Sequence, residues 1–561
     1  MYIRRISRRL PSGKQASYLQ LAQKVRDPQT GAPRDKVLYH FGPEDRIDQE
    51  QIRRLVRSLN RFLEPGEQAA TEVGLEGVAA KDLCVERSLS YGGSFLLDQV
   101  WKRLELDETL HELLEQRSFQ VEIERLVFAL VANRALAPRS KLGLERWVGC
   151  KALIEGLEEV QVHNLYRAMD FLVEHSEEVQ RSVFFSVASL LNLEVDLLFF
   201  DTTSSYFELE EEDDDEDGLR RYGHSKDHRS DLPQVVIGLA VTRQGIPVRC
   251  WSWPGNTSDA STVDEVQRDL AGWRLNRVVW VLDRGFAGER QRIALQRGGG
   301  HVLIGEKLRA SGEQIHPAVK RSGRFQTVRE NLEVKEVRIG NGSEVERYVV
   351  VRNPQQAEKD RAVRERILAR LSEEIERVNA TAAKRKGAHS KAVCELLRTT
   401  RGRRFLGELK NGRLEINRGA VRADEKLDGK YLIRVTDPSM SAEDAAVGYK
   451  QLAEVERAFR TMKSQLDLRP VHHRPDERIR AHVLLCWLGL LLVRVIETKT
   501  GMTWDRIRDE MDEVSLTSLL SKHGRVEIVS TLTDSQRNIL KKLNLNPPKR
   551  VRAIAPTPSN T

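Results

Sequence analysis

Apolar residues along this chain recur at two periods, and the points where one period replaces the other mark its organisation. Over 1–66 they alternate in three short runs, YIRRIS, SYLQLAQKVRD and KVLYHFG, which predict strands, followed by a helix over 48–63 that Pro65 and Gly66 terminate. Over 86–195 they fall three and four apart in FLLDQVWKRL, VEIERLVFALVANRAL and VQRSVFFSVASLL, the spacing of a helical bundle. Residues 196–305 turn to short apolar runs, DLLFFD, QVVIGLAV, IPVRCWSW, VVWVLD and HVLIGE, with helical stretches over 261–271 and 287–297. Three closely spaced strands followed by alternating helix and strand predict an α/β unit on a mixed five-stranded sheet, with hairpin neighbours first and a parallel crossover after them.

Residues 306–440 change character again. Strands in RFQTVREN, LEVKEVRIG and ERYVVVR, a basic helix-rich stretch over 356–400 and further strands in FLGELK, RLEINR and KYLIRVTD predict an insertion that folds separately. Helical spacing returns over 441–500, in YKQLAEVERAFRTMK and HVLLCWLGLLLVRVIE. The longest apolar stretch, Val483 to Val493, is far below the roughly 20 residues needed to span a bilayer and predicts a buried core helix, not a membrane segment. Residues 501–561 form a polar C-terminal segment whose tail, NPPKRVRAIAPTPSNT, reads as disordered.

A chain of 561 residues holds more than one core. Its 91 Lys and Arg against 83 Asp and Glu leave a net charge of +8, a balance that favours a polyanionic partner. The acidic run ELEEEDDDEDG at 208–218 reads as a solvated loop, because consecutive carboxylates repel one another. The five cysteines form no CxxC pair, which speaks against a zinc ribbon or a disulfide framework, and MYIRRISRRL lacks the apolar core of a signal peptide. A cytoplasmic location follows as the expectation.

The candidate chemistry lies in three acids. Asp201 and Asp283 end strand-like runs, and Glu456 sits on a helical pattern in which Tyr449, Glu456 and Lys463 are seven apart, so the three share a stripe that drifts only about 20° per heptad. In-line phosphodiester chemistry is served by two hard divalent cations about 4 Å apart, which need at least three carboxylates between them. Asp201 and Asp283 would stand on adjacent strands, with Glu456 approaching from a helix packed over them. Arg284, beside Asp283, and Lys463 are cations placed to meet a nucleic-acid phosphate.

FFDTTS, VLDRGF and the Tyr449, Glu456, Lys463 block resemble the three catalytic blocks of bacterial insertion-sequence transposases of the DDE type, in particular insertion-sequence family four and its long-chain 1634-like subgroup. GHSKDHRSDLPQVVIGLAV, GIPVRCWSWPGNTSD and LDLRPVHHRPDERIRAHVLL also resemble that subgroup, which extends the similarity over roughly 196–500, and YLQLAQKVRDPQTG is compatible with it. The resemblance implies an RNase H-like core over 196–305 and 441–500, interrupted by an insertion domain over 306–440. The small N-terminal module over 1–66 carries Arg4, Arg5, Arg8 and Arg9, cations that could touch DNA phosphates or equally lie on a solvated strand face. It implies that Asp201, Asp283 and Glu456 are the catalytic triad and hold Mg²⁺ or Mn²⁺, and that Tyr449 and Lys463 hold phosphates near the cut. The expected partners are DNA, both the element's terminal inverted repeats and the target, and a second copy of the chain. The expected reaction is cleavage at the element's ends and joining of the freed 3′-OH to target DNA, in the bacterial cytoplasm and at the nucleoid.

Two departures matter. Leu452 stands where the signature carries Arg, which makes Arg460, four residues beyond Glu456, the preferred substitute over Arg457, and the insertion contains no tryptophan. Two other readings stay open: a structure-specific nuclease or resolvase on the same fold, and a catalytically inactive DNA-binding protein derived from a transposase.

Overall fold

The computed structural model describes residues 2–9, 15–26, 33–43, 84–115, 122–191, 197–271, 279–286, 301–309, 314–340, 345–382, 391–409, 413–521 and 524–556. The helices read over 48–63 and 287–297 lie outside these residues. The chain divides into two compact units, one of Met1–Ser88, Leu516–Thr531 and Lys549–Thr561, the other of Leu89–Ser515 and Leu532–Pro548.

In the first unit the alternating runs form an antiparallel sheet of Tyr2–Arg9, Gln15–Arg26 and Pro33–Pro43. A second sheet joins Cys84–Ser90, Ser515–Ser521, Gly524–Val529 and Val551–Pro556. The last of these corrects the reading of a disordered tail for Val551–Pro556; residues 557–561 lie outside the described residues. Val526 faces Ile554 and Ile528 faces Val551 across an antiparallel ladder, so a segment too polar to build a core is ordered by a neighbouring strand that supplies its hydrogen bonds.

The second unit is built on one nine-stranded sheet. Its strands are β1 (Leu197–Tyr206), β2 (Gln234–Thr242), β3 (Pro247–Pro254), β4 (Val279–Leu282), β5 (His301–Glu306), β6 (Gln326–Arg329), β7 (Leu332–Ile339), β8 (Glu346–Arg352) and β9 (Lys430–Val435). They lie in the order β6-β7-β8-β9-β5-β4-β1-β2-β3. β1, β2 and β3 pair antiparallel and β4 and β5 pair parallel, as the strand spacing predicts, and β4 in turn pairs parallel with β1. The sheet does not stop at five strands, because β9 pairs antiparallel with β5 and carries β8, β7 and β6 with it. Residues 306–440, expected to fold separately, therefore give four strands to the same sheet. The inner strands β8 and β9 bury Val349, Val350, Leu432 and Ile433, residues suited to a central strand covered on both faces.

Four helices matter to the site: α1 (Asp259–Ala271), α2 (Ala442–Lys450), α3 (Ala453–Ser464) and α4 (Asp476–Thr500). α2 lies on β5, β7, β8 and β9, and α3 lies on β1 and β2. By length and composition α4 could cross a membrane, but its most apolar window is 94% buried inside the fold. It packs against β3 and against the bundle helices Gly92–Arg103, Ile123–Leu136 and Val162–Glu174. It is a core helix, as the length of its apolar stretch predicts.

Candidate active site

β1 and β4 run parallel with Phe200 beside Leu282, so the next residues, Asp201 and Asp283, emerge side by side. Asp283 stands where β4 ends, its carbonyl accepting from the Phe286 N–H at 3.0 Å to open a 3₁₀ turn over Arg284–Phe286. Phe286 is buried against Phe200 and pins that turn to the core. Asp201 was expected at a strand end as well. Instead β1 runs on to Tyr206 because β2 continues to pair with it, Asp201 opposite Leu239 and Tyr206 opposite Gln234. Asp201 is thus held mid-strand, with its side chain only 23% exposed.

Burial pushes the Asp201 carboxyl up to about 6, and the charges of Asp259 and Asp283 push the same way. Lys226 and the Thr202 N–H, which donates to Asp201 Oδ1 at 2.8 Å, hold it partly down.

Three residues of this site received no role from the sequence. Lys226 donates from Nζ to the Thr202 carbonyl at 2.8 Å and to Thr202 Oγ1 at 2.7 Å, and lies 3.2 Å from Asp259 Oδ2 and 4.0 Å from Asp201 Oδ1. Asp259, the first residue of α1, also accepts from the Thr202 hydroxyl. Asp227 accepts from Lys463 Nζ and Arg469 Nη1, both at 2.7 Å. All three lie within GHSKDHRSD or at the end of GNTSD, segments noticed for their resemblance. Loop residues have no periodicity from which a partner can be read. The acidic run upstream is also less free than expected: Asp213 is paired with Arg220, and Glu212 accepts from the Tyr222 N–H at 2.6 Å.

The stripe through Tyr449, Glu456 and Lys463 is interrupted. α2 ends at Lys450 and α3 starts at Ala453, because the Leu452 N–H bonds to Tyr449 O and the Val455 N–H to Leu452 O, both at 3.1 Å. These three-residue bonds tighten the chain at the junction, where Leu452 is buried. Tyr449 therefore belongs to a different helix from Glu456. Its ring stacks on Tyr431 with centroids 5.7 Å apart, and its hydroxyl donates to Asp283 Oδ1 at 3.2 Å. Burial and the Asp283 charge raise the phenol's pKa well above its ordinary value.

α3 buries Val455, Ala458, Phe459 and Met462. Its Glu456, Arg460 and Lys463 line a cleft of about 480 Å³ together with Asp201, Lys226 and Asp227. Arg460 is exposed and makes no ion pair among the described residues, whereas Lys463 is only 10% exposed and is committed to Asp227. Burial lowers the Lys463 pKa. Arg457 is not among the residues that line the cleft, and Arg284 is exposed beside Asp283.

Residues 200–492, more than half of the chain and inclusive of all three acids, match the family described as the transposase DDE domain. The chain belongs to the DDE transposases. Residues 3–71 match the N-terminal domain of the IS1634 family transposases, in agreement with the resemblance carried by the catalytic blocks. No curated protein matches the chain. Among solved structures it is similar to a piggyBac transposase synaptic complex with hairpin DNA, at 9% identity over 75% of this chain and 78% of that one, with a TM-score of 0.32. As a transposase, the protein is of an enzyme class that cuts and moves DNA, and DNA is its partner.

Proposed function

We propose that this transposase binds the terminal inverted repeats of a bacterial insertion sequence, cleaves the DNA at the element's ends and joins the freed 3′-OH to target DNA. The observation that carries the reading is the in-register pair Asp201 and Asp283 on adjacent parallel strands, with Glu456 lining the cleft that Asp201 also lines. The strand order β3-β2-β1-β4-β5 within the larger sheet, antiparallel on one side of β1 and parallel on the other, supports an RNase H-like core.

DDE transposases use divalent ions, and the donors here suit one. They are carboxylate oxygens, the ligands a hard cation takes, and Asp201 is a mostly buried carboxylate whose pKa is raised chiefly by that burial, with Asp259 and Asp283 adding negative charge nearby. Among the described residues no three His, Cys, Asp or Glu side chains form a ready cage, so the fit is one of charge and donor type. Asp201, Asp283 and Glu456 would hold Mg²⁺ or Mn²⁺. Bound there, the ion supplies charge that stabilises the attacking and leaving oxygens of the phosphodiester.

The remaining roles fall to the chain's own groups. Tyr449 orients Asp283 through its hydroxyl, and Phe286 fixes the turn that follows. Arg460 presents a free guanidinium to a phosphate in the cleft, with Arg284 and Lys463 at its margins. Two copies of the chain would act together on paired ends.

The test is end cleavage by Asp201→Asn, Asp283→Asn and Glu456→Gln proteins that still bind the ends. Each is expected to lose at least about a thousandfold in rate. Undiminished cleavage by any one removes that residue from the triad, and nicks without joined product would turn the reading to a nuclease.

A further inference from the structure

Two charged residues crowd Asp201 that the proposed triad does not use. Lys226 sets its ammonium 3.2 Å from Asp259 and 4.0 Å from Asp201, with its remaining bonds made to Thr202. Its backbone is fixed as well, the Lys226 N–H donating to Ser204 Oγ at 2.9 Å. Asp259 is oriented by the Thr202 hydroxyl and by its place at the start of α1, and its charge is among those that raise the Asp201 pKa. A monovalent side-chain cation is thus seated between two carboxylates, one of which belongs to the proposed metal set.

Resting on that reading of the site, we propose that Asp201 and Asp259 form a cation seat which the Lys226 ammonium fills and from which a divalent ion displaces it, Asp259 then serving as a fourth carboxylate of the site. The exchange is favourable on charge alone, since a divalent ion brings twice the charge of the ammonium to the same oxygens. The released side chain has somewhere to go. Lys226 lines the cleft, and the neighbouring Asp227, only 7% exposed and also lining it, has a buried carboxylate oxygen, Oδ2, with no partner. Swung toward it, the ammonium stays in the cleft that Arg460 also lines, on the side proposed to meet the DNA backbone. Lys226 would therefore hold the carboxylates together before the ion arrives and add a positive charge beside the phosphate afterwards.

The test is a titration of Mn²⁺ into the DNA-free protein, followed by the loss of the free-ion EPR signal. Lys226→Met, which keeps the length and removes the charge, is expected to bind Mn²⁺ about tenfold more tightly than wild type, and Asp259→Asn about tenfold more weakly. Affinity in Lys226→Met equal to or below that of wild type overturns the displacement, and unchanged affinity in Asp259→Asn overturns the fourth carboxylate. Asp201→Asn separates the two levels of argument. If wild type binds Mn²⁺ and Asp201→Asn binds it equally well, or if neither binds it, the metal reading of the site falls together with this inference. If Asp201→Asn weakens binding while Lys226→Met does nothing, only the inference falls.

Discussion

The Tyr449 hydroxyl crosses the backbone of Gly305 to donate to Asp283 at 3.2 Å. A Cβ built at Gly305 would lie 2.0 Å from the phenol oxygen, so the contact exists because β5 carries no side chain at that point. Tyr431, on β9, stacks under the ring and fixes its direction. Three strands and α2 thus converge on the orientation of one carboxylate.

Removing that hydroxyl should impair cleavage more than folding. Tyr449→Phe is expected to slow end cleavage about tenfold while stability changes by about 1 kcal/mol, the net value of one hydrogen bond. Gly305→Ala should eject the phenol and reproduce the loss, and the double variant should fall no further, because both act on one contact. Cleavage rates of the four proteins give the cycle. Additive losses would mean that Tyr449 does not act through Asp283.

Asp201 makes stability and function pull in opposite directions. Its folded pKa, about 6, lies above the ordinary 3.8, so between those values the native state holds a proton that the unfolded chain has released. Stability therefore falls as pH rises from about 4 to about 6 and stays lower above that, by up to about 3 kcal/mol. Without divalent ions, Asp201→Asn should be the more stable protein by about 1–3 kcal/mol at pH 7.5, and the gain should shrink toward pH 4, as urea denaturation at the two values would show. At limiting divalent ion, wild-type cleavage should decline as pH drops through about 6, and the midpoint should move lower as the ion is raised, because proton and ion compete for the same carboxylate. Equal stability of the two proteins at pH 7.5 would contradict the strain at this position.

Arg460 and Lys463 are one turn apart yet differ in what they offer DNA. Arg460 is exposed with no ion pair among the described residues, and Lys463 is tied to Asp227. Arg460→Ala should lower the slope of log affinity against log salt by about 0.9, the value of one phosphate contact. Lys463→Ala should change it by less than half as much while costing about 2 kcal/mol of stability, since it leaves Asp227 with Arg469 alone. Fluorescence anisotropy on an end duplex at several salt concentrations measures both. A larger slope change at Lys463 would reverse the assignment.

Much of this was legible in apolar periodicity. The runs ending in Asp201 and Asp283 located two strands, and the chemistry of a two-metal site asked for them to be neighbours; that they pair in parallel, with the two acids side by side, is given by the folded sheet and not by spacing. Periodicity says nothing of which edge a strand will join, so the four strands of 306–440 read as a separate fold when they extend the main sheet. It is equally blind to a local change in hydrogen bonding, which is why Tyr449 and Glu456 shared one helix on paper and lie on two in the structure. Lys226 and Asp259 were the hardest to see. Their partners lie 24 and 57 residues away in sequence at Thr202, and only the folded chain brings them together.

A buried cation fastens the turn of α3 that carries Glu456. Arg494, only 5% exposed, bonds Glu454 at 2.7 Å, Glu497 at 2.9 Å and the carbonyls of Gln244 and Gly245 at 3.1 Å. It therefore fastens the first turn of α3, two residues before Glu456, to the turn between β2 and β3. Replacing it strands two carboxylates and two carbonyls, and a buried ion pair broken on one side is worth several kcal/mol. Arg494→Leu is expected to lose about 3 kcal/mol in urea denaturation, and Glu454→Gln, which keeps the geometry and loses the charge, about 1 kcal/mol. If Arg494 fixes α3 for catalysis, Glu454→Gln should also slow cleavage at a temperature where it remains fully folded. Full cleavage by that protein would confine Arg494 to stability and leave Glu456 to be positioned by the buried face of α3 alone.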